Sequence, residues 1–276
     1  MKPWVLRMPV TLLLLFAAYV LAQSVANALQ DGPAAVLLVG GLALAAGLLA
    51  LYPLLTRWLE DRPRPVELRW DRSTAGLGWG ALLGAGFIAL TVAGIAPFGG
   101  VGLSRGEPVS AVLGMLGAWV LVGVGEELLF RGGLFRLVEE RRGSGVALAV
   151  SAVVFGGAHL TNQDATVWGA VAIALEAGGL LGAAYVLSRS LWLPIGIHIA
   201  WNLTQGTVFG AEVSGNGPGG PALLHTRLSG PDWLTGGGFG PEGSVVAVLI
   251  GVAVTVVMLV LARRRGSWVA WVPRPR

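Results

Sequence analysis

The chain of 276 residues contains no cysteine, and only 12% of its residues are charged. The absence of cysteine excludes a disulfide framework, a thiolate metal site and a cysteine nucleophile. The scarcity of charge excludes an ordinary soluble domain, because 54% of the residues are hydrophobic and the mean hydropathy is +0.72. The composition therefore predicts an all-α, polytopic membrane protein, in which 43 glycines let helices approach closely.

Long apolar runs predict about eight transmembrane helices, each near the ~20 residues that cross a bilayer core. The predicted spans are 9–29, 34–56, 76–97, 109–135, 146–161, 165–187, 191–210 and 244–262. An even number of spans places both termini on one side of the membrane. A long connection rich in glycine and proline, about 211–243, is expected to fold over the helices on the outside.

Basic residues cluster at the ends of the apolar runs and predict that both termini are cytoplasmic. The inside segments then hold 16 of the 19 basic residues: Lys2, Arg7, Arg57, Arg62, Arg64, Arg69, Arg72, Arg136, Arg141, Arg142, Arg189, Arg263, Arg264, Arg265, Arg274 and Arg276. Only Arg105 and Arg227 fall outside, and Arg131 lies within a span. This asymmetry follows the positive-inside rule, so the net charge of +4 does not indicate a nucleic-acid partner.

The first span also has a second interpretation. A basic stretch at 1–7, the apolar run after it and the sequence Ala26-Asn27-Ala28 resemble a cleavable signal peptide. Removal of this segment would leave seven spans in the same orientation.

Two adjacent carboxylates and an arginine interrupt the fourth span. No charge precedes them between 109 and 125, so Glu126, Glu127 and Arg131 lie in a helix of lipid-embedded composition. Charges at such positions are costly and are usually functional. Glu127 and Arg131 are four residues apart, the spacing at which helical side chains pair. The pattern predicts a supporting Glu127–Arg131 pair and leaves Glu126 free.

Four more polar residues lie within apolar runs: His159, Glu176, His198 and Asn202. At 1.5 Å per residue, Glu126 and His198 come out roughly 14–15 Å from the cytoplasmic edge, and His159 and Asn202 about 20 Å from it. Groups from three helices are therefore expected to converge on one layer. For Glu176, structural pairing and substrate contact are both open. His225 is expected to be a solvated loop histidine.

A carboxylate and two imidazoles on one cavity allow two kinds of chemistry. Glu126 could take a proton from water for attack on a carbonyl, with His198 and Asn202 donating to the developing oxyanion. Alternatively, Glu126, His159 and His198 could hold Zn²⁺ or another divalent cation, with Asn202 orienting His198. The sequence does not separate the two mechanisms.

Three motifs together resemble the CPBP family, which comprises the type II CAAX prenyl endopeptidases and bacteriocin-processing proteins. They are Glu-Glu-x-x-x-Arg at 126–131, Phe-x-x-x-His at 155–159 and His-x-x-x-Asn at 198–202. Each is weak alone, but the three occur in order on separate spans. The resemblance implies an intramembrane peptidase in which Glu126 and His159 activate water. It further implies that His198 and Asn202 stabilise the oxyanion or join a metal site. Glu127 and Arg131 would support the geometry of these groups.

This interpretation predicts a core at 109–210, preceded by N-terminal helices at 1–108. The remainder, 211–276, holds the outside loop, the last helix and a basic tail. The expected partners are a membrane-associated peptide or protein substrate and the lipid bilayer, with no nucleic acid, in a bacterial plasma membrane. Two alternatives stay open: a proton-coupled transporter, which should show two related halves, and a non-catalytic bacteriocin-immunity or scaffold protein on the same fold.

Overall fold

The structure, a computed structural model, describes residues 4–98, 100–217 and 220–271. Lys2, Arg274 and Arg276, which the charge asymmetry assigns to the cytoplasmic side, lie outside these residues. The predicted all-α fold is confirmed. The helices are α1 Trp4–Ala28, α2 Ala34–Glu60, α3 Ser73–Ile95, α4 Val109–Glu127, α5 Arg136–Ala158, α6 Val167–Ile173, α7 Gly179–Ser188, α8 Trp192–Asn202, α9 Asp232–Thr235 and α10 Val245–Arg264.

Three π-helical segments lengthen these helices. Leu128–Phe135 joins α4 to α5, Ala174–Gly178 joins α6 to α7, and Leu203–Val208 continues α8. Within the described ranges, six helices are long and apolar enough to cross a membrane, with α4 and α5 counted as one. This finding supports a multi-pass membrane protein, whereas the count of eight spans and the side of the termini stay predictions.

The fourth predicted span ends later than expected. Instead of stopping at 135, the helix runs through the π-helical segment into α5 and breaks at Gly143, which has φ +74° and ψ 171°. Glycine adopts this left-handed backbone without steric cost, so the residue supplies the turn that the sequence prediction placed earlier. Ser144 restarts the helix and its backbone N–H donates to Val269 at 2.9 Å.

Helix α4, which carries the paired glutamates, packs closely on α2. A Cβ atom added at Gly41 would lie 2.3 Å from the carbonyl oxygen of Gly117. No side chain fits in that space, so the two backbones are in contact. Such small-residue contacts replace the hydrophobic effect as the source of helix association in a membrane.

One end of the bundle carries a network of ion pairs between segments that are predicted to lie inside. Its contacts are Arg7–Glu140 at 2.5 Å, Arg136–Glu140 at 2.6 Å, Arg136–Glu60 at 2.7 Å, Arg62–Glu67 at 2.6 Å and Arg189–Glu139 at 2.8 Å. These pairs bring the start of α1, the end of α2, α5 and the α7–α8 connection together. We call this the arginine-rich end.

The opposite end, which we call the outer end, contains an unpredicted two-stranded antiparallel sheet. Strand β1, Gly100–Arg105, pairs with β2, Leu224–Ser229. His225 lies on β2 with its side chain 52% exposed and its Nε2 3.5 Å from Glu107 Oε1. It is thus solvated, as expected, but belongs to a strand. The connection 211–243, called the outer segment below, packs back onto the helices as predicted.

Candidate active site

A cavity of about 590 Å³ lies between α1, α4, the end of α5, α8 and the outer segment. Glu126, His159, His198 and Asn202 all line it. The structure therefore confirms that these groups, from three parts of the sequence, converge on one place. Their catalytic roles remain a proposal.

Glu126 faces this cavity with its side chain 17% exposed. The Tyr19 hydroxyl donates a hydrogen bond of 3.0 Å to Glu126 Oε1. The other oxygen, Oε2, is 3.8 Å from His198 Nε2. That distance is too long for a direct hydrogen bond and suits a bridging water or a substrate oxygen. Glu126 therefore has one fixed oxygen and one that is available for chemistry.

Glu127 is fully buried and receives two hydrogen bonds on one oxygen. Arg131 Nη1 donates to Oε1 at 2.8 Å, which confirms the predicted pair. His198 Nδ1 lies 2.9 Å from the same oxygen. Because an ionised carboxylate only accepts hydrogen bonds, this contact assigns a proton to Nδ1 and turns Nε2 toward Glu126. Glu127 thus orients His198, a role that the metal-site alternative assigned to Asn202.

Arg131 links this pair to a second helix. Its guanidinium is fully buried and also donates to the carbonyl oxygens of Ala177 and Gly178 at 3.3 and 3.4 Å. Its Cζ atom lies 4.6 Å from the centre of the Phe155 ring, at a distance typical of a cation–π contact. A buried cation needs such compensation, since an unpaired one would cost several kcal/mol.

His159 and Asn202 complete the polar wall of the cavity. His159 follows directly after α5, and its Nδ1 lies 2.7 Å from the carbonyl oxygen of Phe155. A carbonyl only accepts, so Nδ1 carries the proton and Nε2 is the acceptor nitrogen of the ring. Asn202 is buried one turn after His198 on α8. Its amide offers a donor to the same cavity.

The π-helical segments occur at these residues. One begins directly after Glu127 and another directly after Asn202. Single π-helical turns inside α-helices are frequent at functional sites because they shift side chains relative to regular helix geometry. A regular period of 3.6 residues predicts uninterrupted α-helices at these positions, so the sequence does not indicate the π-helical segments.

The sequence did not indicate Tyr19 or Glu242, which contact residues of the site. Tyr19 is a polar aromatic residue in an apolar span, which is a weak signal. Glu242, in the outer segment, is buried and accepts hydrogen bonds from Trp201 Nε1 at 2.8 Å and from the hydroxyl and backbone N–H of Ser214. Burial raises the pKa of Glu242, and these hydrogen bonds oppose the rise. Glu242 thereby fastens the outer segment to α8, one residue from Asn202.

Glu176 lies apart from the cavity wall. It is fully buried in the segment Ala174–Gly178 and packs against Gly251 of α10. Among the described residues, neither of its carboxylate oxygens has a hydrogen-bond partner. Structural pairing, one of the two roles that the sequence left open, is therefore not found for Glu176 among the described residues.

The predicted metal ligands do not form a coordination group. Within the described ranges, no three His, Cys, Asp or Glu side chains are arranged to hold one ion. Glu126, His159 and His198 nevertheless line the same cavity, and each histidine has its Nδ1 within hydrogen-bond distance of a protein acceptor. Both Nε2 atoms are thereby left for a ligand, which is the usual arrangement of a metal-binding histidine.

Comparison with known proteins agrees with the motifs. The family model described as type II CAAX prenyl endopeptidase Rce1-like matches residues 108–204, about a third of the chain. The matched region contains every residue of the three motifs, whereas Tyr19 and Glu242 fall outside it. No curated protein and no solved structure matches the chain. Residues 108–204 are therefore similar to the Rce1-like family of type II CAAX prenyl endopeptidases.

Proposed function

We propose that this protein is an intramembrane endopeptidase in which Glu126 activates the water that hydrolyses a peptide bond. The observation that carries the proposal is the free Glu126 Oε2 on the cavity wall, 3.8 Å from a His198 nitrogen whose ring is already oriented. The match of residues 108–204 to the model of a family of endopeptidases supports the same reaction class.

The proposed reaction proceeds through a tetrahedral intermediate. Glu126 takes one proton from a water held between it and the substrate, and the water oxygen attacks the scissile carbonyl carbon. The carbonyl oxygen becomes an oxyanion, which accepts hydrogen bonds from the Asn202 amide and from His198 Nε2–H. When the C–N bond breaks, the proton held by Glu126 passes to the leaving amine, directly or through His159 Nε2. The products are a carboxylic acid and an amine, and transfer of the acid's proton leaves a carboxylate and an ammonium group.

Glu127, Arg131 and Tyr19 position these groups. Donation by His198 Nε2 requires protons on both ring nitrogens, and Glu127 supports the proton on Nδ1. Arg131 holds Glu127 in place, and Tyr19 holds one oxygen of Glu126.

The experiment that tests this function compares the membrane proteome of cells that express the wild type with that of cells that express Glu126→Ala. We expect a membrane-associated protein to accumulate uncleaved in the variant. The purified wild type in liposomes should then cleave a peptide that contains the cleavage site of that protein. The opposite outcome is that the two proteomes are identical and that Glu126→Ala restores the wild-type phenotype to cells from which the gene is deleted. The protein would then be a scaffold and not a peptidase.

Replacement of Tyr19 by phenylalanine is expected to lower kcat/KM for that peptide about tenfold, because a hydrogen bond to a charged group contributes ~1.5–3 kcal/mol. The measurement is steady-state cleavage in detergent, with Ser24→Ala as the control. Ser24 is exposed on the same helix, and its hydroxyl donates to the carbonyl of Val20. Unchanged kcat/KM in Tyr19→Phe would show that Glu126 needs no support from α1.

Metal dependence is a separate prediction. Since no three ligand groups of the described chain are arranged around one point, we expect cleavage to survive chelation. Elemental analysis of the purified protein, followed by chelation and re-addition of Zn²⁺, measures this. Loss of activity on chelation and recovery with stoichiometric Zn²⁺ would instead support the alternative in which Glu126, His159 and His198 bind the metal.

A further inference from the structure

A second cavity of about 510 Å³ adjoins the candidate active site. The two cavities share walls formed by Gln23 and Asn27 of α1, Trp119 of α4, and Asn216 of the outer segment. We call the two cavities together the corridor. One end of the corridor is at Glu126, and the other lies beside Gln30 and Asp31, past the end of α1.

The far mouth of the corridor is at the outer end of the bundle. It is lined by the residues after α1, by the first turns of α4 and by Gly217 and Gly220 of the outer segment. Arg7, at the arginine-rich end, is 24 positions before Asp31, which corresponds to roughly 35 Å along a helix. The corridor therefore opens on the side opposite the arginines, which the positive-inside rule places outside the cytoplasm.

Carboxamide side chains give the corridor its chemical character. Gln23, Asn27, Gln30, Asn162 and Asn216 line it, together with apolar side chains such as Trp119. Each carboxamide offers both donors and an acceptor, as the groups of a peptide main chain require. Among the described residues, no lysine or arginine lines either cavity. The corridor thus lacks the guanidinium or ammonium that a terminal carboxylate or a phosphate would need.

The length of the corridor suits several residues of extended chain. Tyr19, which contacts Glu126, and Gln30 are eleven positions apart, or about 16 Å along a helix. An extended polypeptide covers this distance with about five residues. A chain that enters at the outer end therefore reaches Glu126 about five residues from its point of entry.

We propose that the corridor binds an extended polypeptide segment, entered from the outer end and recognised through its main chain rather than through a terminal carboxylate. The peptide class of this ligand rests on the proposed function, whereas the side of entry rests on the corridor itself. The enzyme would then cleave internal bonds of segments exposed outside the cytoplasm.

Because the chain has no cysteine, single cysteines report the side of entry directly. Asn27→Cys places a thiol in the corridor, and Thr74→Cys places an exposed one near the arginine-rich end. In sealed right-side-out vesicles, a membrane-impermeant maleimide should label Asn27→Cys and not Thr74→Cys, and inside-out vesicles should give the reverse. Labelling of Asn27→Cys from the cytoplasmic side alone would overturn the proposal.

Occupation of the corridor is measured without turnover, in the double variant Glu126→Gln, Asn27→Cys. The probe is an unstructured peptide of roughly 20 residues with an amidated C-terminus, long enough to fill the corridor. Saturating peptide should slow labelling of the cysteine by about fivefold, since bound ligands are mostly covered by their pocket. The same peptide with a free carboxylate should protect no better, and stronger protection by it would overturn main-chain recognition.

The two proposals fail in different ways. If the peptide protects Asn27→Cys but the wild type cleaves no peptide, the corridor is a binding site and the proposed peptidase function is wrong. If the wild type cleaves the peptide but the cysteine is not protected, the peptidase function holds and the corridor proposal is wrong.

Discussion

Glu126→Gln is expected to lower kcat/KM for peptide cleavage by about a thousandfold, within the 10²–10⁴-fold contribution of a general base. Glutamine has nearly the shape of glutamate, and its amide oxygen can still accept the Tyr19 hydrogen bond. What it cannot do is take a proton from water. The loss should therefore appear in kcat, with little change in KM or in folding.

The control is Glu107→Gln, which removes a carboxylate at the outer end beside His225, away from the candidate site. Both variants should keep the thermal unfolding midpoint of the wild type in detergent, because neither carboxylate is fully buried. Only Glu126→Gln should be inactive. Retained turnover in that variant would show that another group activates the water, with His159 the next candidate on the same wall.

The elements that the sequence predicted well were those set by local rules. The apolar runs predicted the long helices because about 20 apolar residues suffice to cross a bilayer. The four-residue spacing predicted the Glu127–Arg131 contact, which the structure gives as 2.8 Å. Convergence of Glu126, His159, His198 and Asn202 on one cavity followed from their estimated depth, since antiparallel helices of known rise bring residues of equal depth to one layer.

The features that the sequence missed depend on contacts between distant positions. Glu127 meets His198 across 71 residues and Tyr19 meets Glu126 across 107, and no periodicity encodes either pairing. The sheet of β1 and β2 pairs two connections between helices, and their hydropathy does not predict strands. The sequence also did not predict that the helix continues to Gly143, because the charged residues at 136–140 are typical of a loop. In the structure these charges are neutralised by ion pairs with distant residues: Arg136 with Glu60, Glu139 with Arg189, and Glu140 with Arg7.

These long-range contacts change the role of the second glutamate. Spacing alone suggested that Glu127 only neutralises Arg131 and pins the helix. In the structure the same Oε1 atom also accepts from His198, so one carboxylate serves both the stability of the bundle and the orientation of a candidate catalytic ring. The two roles can be separated by mutation, because only one of them depends on the charge of Arg131.

Glu127→Ala is expected to destabilise the protein by about 3–5 kcal/mol, the cost of leaving one partner of a buried ion pair uncompensated. Arg131 would keep the Ala177 and Gly178 carbonyls, at 3.3 and 3.4 Å, and its contact with Phe155, but would lose its ion-pair partner. Activity should also be lost, since His198 loses its Nδ1 partner. Unfolding in detergent and peptide cleavage measure the two effects.

The double variant Glu127→Ala, Arg131→Met separates them. It removes both buried charges, so we expect it to recover much of the lost stability, since apolar replacement of a buried pair is often neutral. Activity should not return in the double variant, because His198 still lacks an acceptor at Nδ1. Glu127→Gln keeps an acceptor oxygen and should therefore retain part of the activity. Recovery of cleavage in the double variant would show that Glu127 acts only on Arg131.

Equal destabilisation by Glu126→Gln and Glu127→Ala would show that the two carboxylates do not divide into one that reacts and one that supports.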